Sequence, residues 1–433
     1  MEYLRVFSII LLIFGISVSK ILFKTIKSPL GLFSILWNTL LFMTSLNLIE
    51  YDRMSDESIV VMLISNLFFQ LGAIFLGLIM QISRKRIIST DTHITPGKTR
   101  IILKWIDISI MLSIVGGILW LFQAISIVGF VSITNYNAYL LRGDVLPHIN
   151  KIVSYLVYAV SMGGAILIGL IFSKYQIFKK KFILIFSGPF VVSIFIGQRN
   201  FIIIMVISLL VPILMNYGIK LITFKKEYRR LISKITIGII LFFLIVGNMR
   251  FGGTNSASNS SGLIYLIEHT YRYLTGSFVA FSKVYDNWNG DLNYGLNTFT
   301  PLFKLLNSLN LTDFDEVLIR KIESGRDPVM IPYLFNVFTY VWDFVSDFGY
   351  FGNILFNWLL GFYSSLCWSS HIKSQDIRLK NVIFVFVITF LFYSFIASIT
   401  NYSMVIYGYI YAALIVVLSR KYEFDNANIT KLV

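Results

Sequence analysis

IVSYLVYAVSMGGAILIGLIFS, residues 152–173, is a run of 22 uncharged residues between Lys151 and Lys174. About 20 apolar residues, rising 1.5 Å each as a helix, cross the hydrocarbon core of a bilayer. The run is one of a series. Apolar stretches occur at roughly 4–22, 29–49, 58–80, 103–131, 152–173, 182–197, 200–216, 232–248, 348–370, 381–399 and 403–419. The whole chain of 433 residues is 56% hydrophobic and only 14% charged, with a mean hydropathy of +0.75. A soluble domain carries about 25% charged residues. The expected fold class is therefore all-α: a polytopic integral membrane protein with about 11 transmembrane helices. Residues 1–248 hold helices one to eight, 249–347 a large extracytoplasmic loop with amphipathic helices, and 348–433 helices nine to eleven with the C-terminus. A soluble enzyme, a disulfide-rich secreted domain and a disordered scaffold are excluded. The single cysteine, Cys367, lies inside an apolar stretch. The first stretch lacks a basic leader and a small-residue cleavage site, so it reads as a span and not a signal peptide.

The net charge of +15 has to be divided between two sides of a membrane. The loops after the first, third, fifth, seventh and ninth spans, with the C-terminus, hold 25 of the 37 Lys and Arg. Short Lys/Arg-rich loops stay cytoplasmic, which puts the N-terminus out and the C-terminus in. Most of the basic excess is then topology signal and attraction to anionic lipid, and nucleic acid is not an expected partner. The two sides also differ in the kind of cation: 18 Lys and 7 Arg inside, 4 Lys and 8 Arg outside. Arg offers a planar fork that grips phosphate with two hydrogen bonds. An acidic outer face that selects Arg suits an anionic group, although ordinary ion pairs with the outer acids also account for some of it.

The long segment 249–347 opens with Gly252-Gly253-Thr254-Asn255-Ser256-Ala257-Ser258-Asn259-Ser260-Ser261-Gly262, a composition suited to a lid or linker. Leu263 to Val284 reads as a helix bearing Glu268, His269, Tyr271 and Arg272. Asp286 to Asn297 is rich in Asn, Tyr, Trp and Gly. Aromatic faces stack on sugar rings while amides and carboxylates bind hydroxyls; an interfacial aromatic belt is the plainer alternative. Residues 331–347 read as an amphipathic helix leading into the ninth span. No phosphate-binding G-x-x-x-x-G-K-[ST] loop and no H-E-x-x-H are present, and the four histidines are scattered. No metal site and no cofactor are expected.

Three stretches resemble, in this order, the signatures of Wzy-type oligosaccharide repeat-unit polymerases, the O-antigen and capsule polymerases. NVFTYVWDFVSDFGYFGNILFNWLLGF (Asn336–Phe362) is similar to their N-V-[YF]-T stretch, acidic D-F-G-x-x-G and following span. GQRN (Gly197–Asn200) resembles their G-x-R turn, and NYNAYLLRGD (Asn135–Asp144) their N-x-x-Y-x-x-x-R outer loop. The R-x10-G pattern of some members has no match here, and no role that depends on it is carried over. The resemblance implies a C-type, lipid-dependent glycosyltransferase in the bacterial cytoplasmic membrane. It implies an undecaprenyl-diphosphate-linked oligosaccharide as substrate, with membrane lipid and a polysaccharide chain-length regulator as partners. An O-antigen ligase uses the same donor with another acceptor, and a lipid-linked oligosaccharide flippase is a further alternative.

Such a reaction asks for cations around a departing diphosphate and for a base near the acceptor hydroxyl. Arg199, in a turn between two apolar spans, is the first choice for the diphosphate. An arginine at a membrane boundary is costly unless paired. Arg250, Arg142 and Arg272 follow, against the alternative of plain interfacial or ion-paired arginines. For the base the candidates are His269, Glu268, Asp343 and Asp347. An unperturbed histidine is suited to proton abstraction at neutral pH, and His269 stands one helical turn from Arg272. Asp347 belongs to the D-F-G stretch and equally suits an N-terminal cap of the ninth helix.

The charge division predicts the side of each loop. With Cys367→Ala as background, a cysteine at Ser258 should react with a membrane-impermeant reagent in intact cells, and one at Lys226 should not. The reverse pattern would invert the topology.

Overall fold

The structure is a computed structural model and describes residues 1–82, 96–129, 145–196, 200–217, 262–312, 328–374 and 376–429. Its helices are α1 (Glu2–Phe23), α2 (Pro29–Leu46), α3 (Asp56–Ile82), α4 (Pro96–Val128), α5 (Lys151–Tyr175, with a π-helical turn over Tyr155–Val160), α6 (Ser187–Ile196) and α7 (Asn200–Tyr217). They continue with α8 (Gly262–Asp286), α9 (Thr300–Ser308), α10 (Tyr340–Ile372), α11 (Leu379–Tyr393) and α12 (Ser403–Ile429). Six of them, α1 to α5 and α12, are long and apolar enough to cross a membrane; α7 and α11 are apolar but shorter. The chain is thus a helical, multi-pass membrane protein. The expected span 232–248, the Gly252–Ser261 run and the outer-loop stretch 135–144 lie outside the described residues.

The chain forms two compact units. Residues 1–91, 261–373 and 387–403 make the first; 92–260, 374–386 and 404–433 make the second. In the first, α1 turns into α2 through Ser28, whose Oγ accepts a hydrogen bond from Gly31 N (3.2 Å) ahead of Pro29 at the first helical position. That is a capped start with the proline where its missing N–H costs nothing. Val6, Phe7, Ile10, Ile13 and Ile21 of α1 point outward, a face that water would not tolerate and lipid does. Helices α3 and α10 cross where a Cβ on Gly72 would lie 1.9 Å from Trp358 O and one on Gly361 2.0 Å from Phe69 O. Small residues let two backbones meet in this way.

The interior of this unit is not purely apolar. Asn66 Nδ2 donates to Asn38 Oδ1 (2.7 Å), Gln70 Nε2 to Asn66 Oδ1 (2.9 Å) and Asn353 Nδ2 to Ser65 Oγ (2.8 Å), all buried. Asn357 Nδ2 donates to Asn353 Oδ1 (2.8 Å), and Tyr340 OH donates to Asn357 Oδ1. These amides join α2, α3 and α10 from within. Beside them Trp37 packs edge-on against Phe278 of α8 and Tyr340 of α10, ring centroids 5.2 Å away in each case, and its Nε1 donates to Ser394 Oγ (2.7 Å).

In the second unit α5 is 89% buried over its apolar window, packed by α4 and α7. Ser109 and Tyr411, Ser113 and Ser161, and Ser208 and Tyr409 pair through their hydroxyls at 2.7–2.9 Å. The expected span 182–197 is instead a 3-10 turn, Lys180–Phe186, followed by the ten-residue α6. Pro189 accounts for part of this. It has no N–H to give to Ile185 O, and Ser113 Oγ donates there instead (3.0 Å) while accepting from Gly188 N (3.3 Å).

The expected amphipathic helix 331–347 is corrected as well. Pro328 precedes and Pro332 turns a short hairpin of β1 (Val329–Met330) and β2 (Leu334–Phe335), with Val329 opposite Phe335 and Met330 opposite Leu334. The helix begins only at Tyr340 and is interrupted at Gly349 (φ 68°, ψ −173°), a backbone state that glycine adopts without strain. The expected helix over 263–284 is found as α8.

A side chain at the α3–α10 crossing would force the helices apart. Gly361→Val should lower the midpoint of thermal unfolding in detergent and destabilise by about 2 kcal/mol or more, whereas Ile10→Ala on the lipid-facing side of α1 should change it little. An unchanged midpoint for Gly361→Val would contradict the crossing.

Candidate functional site

In the first unit, the 47–58 connection, α8, the turn 294–299, the start of α10 and residues 394–402 supply a group of polar and aromatic side chains. α8 is fastened along its length to the connection between α2 and α3. Tyr271 OH donates to Met43 O (2.5 Å) and accepts from Leu48 N (3.3 Å). Thr275 Oγ1 donates to Tyr271 O (2.7 Å), so Tyr51 OH is the donor in its 2.9 Å bond to Thr275 Oγ1. Further along, Ser58 Oγ donates to Ser282 Oγ (2.7 Å), Ser55 Oγ to Asp286 Oδ1 (2.5 Å), and Lys283 Nζ meets Asp52 Oδ2 at 3.2 Å.

Against this fixed helix stands Arg272. Its guanidinium pairs with Glu268 one turn earlier and lies 3.5 Å above the centroid of Tyr333, the last residue of the 331–333 turn between the two strands. A cation over an aromatic face is held by the ring quadrupole. The pair is accessible: Arg272 is 25% and Glu268 35% exposed. Arg272 Nε is buried and meets no acceptor among the described residues. Burial pushes the nearby Tyr51 phenol up to about 12, against the opposing effects of its bond to Thr275 and the Arg272 charge. Tyr51 is therefore a neutral hydroxyl at physiological pH. Together these groups offer a cation, N–H and O–H donors, a carboxylate and an aromatic face.

The two aspartates of the D-F-G stretch lie four residues apart on α10, on one side of its first turns, and both are buried. Asp347 accepts from Asn297 N (3.0 Å), Asn297 Nδ2 (2.9 Å) and Thr298 N (2.6 Å). Asn293 N donates to Ser346 O (2.8 Å), a carbonyl that the break at Gly349 deprives of a helical partner. The D-F-G stretch thus clamps the 293–298 turn to α10. Asp347 does not cap the following helix, as its position before a span suggested; its acceptors serve backbone N–H groups some 50 residues earlier in the chain. Asp343 accepts from Asn401 Nδ2 (3.2 Å). Both act as acceptors that hold backbone and amide groups in place.

Of the proposed site residues, Glu268 and Arg272 are brought together. Asp347 clamps the 293–298 turn, and Asp343 separately holds Asn401. His269 lies on α8 with its side chain outside the described residues, as are Arg142, Arg199 and Arg250. Tyr51, Tyr333, Asn297 and Asn401 had not been singled out for the site. They come from four distant stretches, and no spacing in the sequence connects them. Among the described residues no three His, Cys, Asp or Glu gather as metal ligands. Comparison with family models, with curated proteins and with solved structures found no match for this chain.

Burial pushes the Asp347 carboxyl up, and the bonds from Thr298 and Asn297 pull it down less strongly. A raised folded value means that the favourable contribution is complete below the ordinary aspartate pKa and is lost as pH rises through the folded value. Asp347→Ala leaves buried N–H groups without an acceptor and should destabilise by about 2 kcal/mol or more at a pH below the ordinary aspartate pKa. The gap to the wild type, read by thermal unfolding, should narrow toward neutral pH. A gap that widens would show that the hydrogen bonds outweigh burial.

Proposed function

We propose that this protein joins lipid-diphosphate-linked oligosaccharide repeat units into a surface polysaccharide, in the bacterial cytoplasmic membrane and at its outer leaflet. The observation that carries the reading is Arg272, partly accessible, 3.5 Å from the Tyr333 ring centroid and with a buried Nε–H that has no acceptor among the described residues. A phosphoryl oxygen is the natural acceptor for such a donor. The aromatic faces and hydroxyls of Tyr51 and Tyr333 are suited to the sugar next to it. The D-F-G resemblance and the multi-pass fold support the same reading.

In the reaction the acceptor hydroxyl oxygen attacks the anomeric carbon of the donor glycan. The bond from that carbon to the diphosphate breaks, and the lipid diphosphate leaves with the electron pair. We assign to Arg272 the stabilisation of the charge that builds on the diphosphate, a contribution of about 3 kcal/mol where such donors are preorganised. The hydroxyl proton passes to a base on α8, for which Glu268 and His269 are the candidates. Positioned bases contribute about 10²–10⁴ fold. Asp343 and Asp347 hold the scaffold and stay out of proton transfer.

The test is glycan chain length in cells. Arg272→Ala and Arg199→Ala should each remove long chains while the protein stays inserted and abundant, with a rate drop beyond about tenfold. The corresponding Lys variants should rescue only partly, because an ammonium lacks the bidentate grip. Arg53→Ala, on the exposed connection before α3, should have a mild effect. Normal chain lengths in both Ala variants would overturn the assignment. Chains that are polymerised but not transferred to their final acceptor would favour a ligase.

A further inference from the structure

The second unit contains a different polar cluster, where α4 begins and α5 ends. Lys98, only 2% exposed, pairs with Asp376 Oδ2 at 2.5 Å. Tyr175 OH and Ile377 N donate to Asp376 Oδ1 at 2.6 and 2.7 Å, and Lys174 Nζ donates to Ser374 O at 2.5 Å. Burial pushes the Asp376 carboxyl up, but the Lys98 and Tyr175 contacts outweigh it and hold the group below the usual aspartate value. The carboxylate is thus ionised and already occupied by Lys98 and Tyr175. Three stretches that the charge division assigned to one side of the membrane, around 98, 174 and 376, meet at this point.

Beside the cluster opens a cavity of about 520 Å³, lined by Thr99, Arg100 and Leu103 of α4 and by 174–177 at the end of α5. Ligand pockets of about 300–1,000 Å³ accept small molecules. The lining combines two kinds of surface. Arg100 and Lys174 are cations, with Lys380 adding positive charge close to Lys174. Leu103 and Ile177 are apolar and sit at the ends of two membrane helices. Arg100 is exposed and forms no ion pair among the described residues. Cations and an apolar wall, where one apolar helix begins and another ends, match an amphiphile better than a soluble anion.

We propose that this cavity binds the headgroup phosphate of an anionic glycerophospholipid from the leaflet on the side of the Lys-rich loops. Arg100 grips the phosphate, Lys174 adds the second charge, and Leu103 and Ile177 take the start of an acyl chain. The bound headgroup fastens α4 to the end of α5 on the open side of the Lys98–Asp376 pair. The inference stands apart from the glycan reading, and either survives failure of the other.

The test uses the purified full chain, titrated separately with dioctanoyl phosphatidylglycerol, dioctanoyl phosphatidylcholine and inorganic phosphate. Retained ligand is counted by native mass spectrometry and thermal midpoint is followed. Phosphatidylglycerol should be retained and raise the midpoint, and the other two should not. Arg100→Gln should weaken its apparent affinity about tenfold, and Lys20→Gln, a cation of the first unit, should leave it unchanged. In a second measurement a photo-crosslinking residue in place of Gln176 should capture phosphatidylglycerol in preference to phosphatidylcholine. Equal retention of both lipids, tight binding of inorganic phosphate, an affinity within twofold for Arg100→Gln, or unselective capture at 176 would each overturn the proposal.

Discussion

Inside hydrocarbon a backbone N–H or C=O has no water to bond, so each must find its partner within the protein. Uninterrupted helices meet that demand by themselves, and most of the membrane-spanning chain obeys it in this way. At two interruptions among the described residues, a specific side chain or main-chain group takes over the freed partner. At Pro189 the hydroxyl of Ser113 supplies the missing donor for Ile185 O. At Gly349 the break leaves Ser346 O to Asn293 N, and the Asp347 carboxylate gathers the N–H groups of Asn297 and Thr298. The departures from regular helix are therefore also the places where distant parts of the chain are tied together.

The same constraint explains the buried amides of the first unit. Asn38, Asn66, Gln70, Asn353 and Asn357 have no polar solvent to turn to, and they bond one another and Ser65 across α2, α3 and α10, with Gln70 Oε1 left over among the described residues. Apolar side chains alone would give these helices no preferred register, since lipid tails are as apolar as leucine. The amides define which faces meet, and the contact of Gly72 with Trp358 and of Gly361 with Phe69 sets how closely.

Long helices were legible because they depend on local composition. The run 152–173 is α5 to within two residues at either end, 4–22 is α1, and 263–284 is α8. The reading failed where a proline redistributed hydrogen bonds: Pro189 shortened one expected span, and the prolines at 328 and 332 start and turn a hairpin where a helix was expected. The site was legible only in part. Glu268 and Arg272 are one helical turn apart, a spacing that any sequence displays. Tyr333 and Tyr51 reach that pair from hundreds of residues away or from a hairpin that the periodicity hid. Asp347 stands out as an acid of the D-F-G stretch, yet its role follows from backbone groups, which carry no signal in the sequence.

The fastening of α8 bears on how this protein tolerates sequence change. Tyr271 reaches a main-chain carbonyl at Met43 and a main-chain N–H at Leu48, not their side chains. Any residue at 43 and any residue but proline at 48 offers the same partners, so those positions are free to drift without releasing the helix. Tyr271 itself has no such latitude: phenylalanine would keep the ring and lose both bonds. The burden of specificity thus falls on one side of the joint, and descendants of this chain should vary the α2–α3 connection while holding the tyrosine.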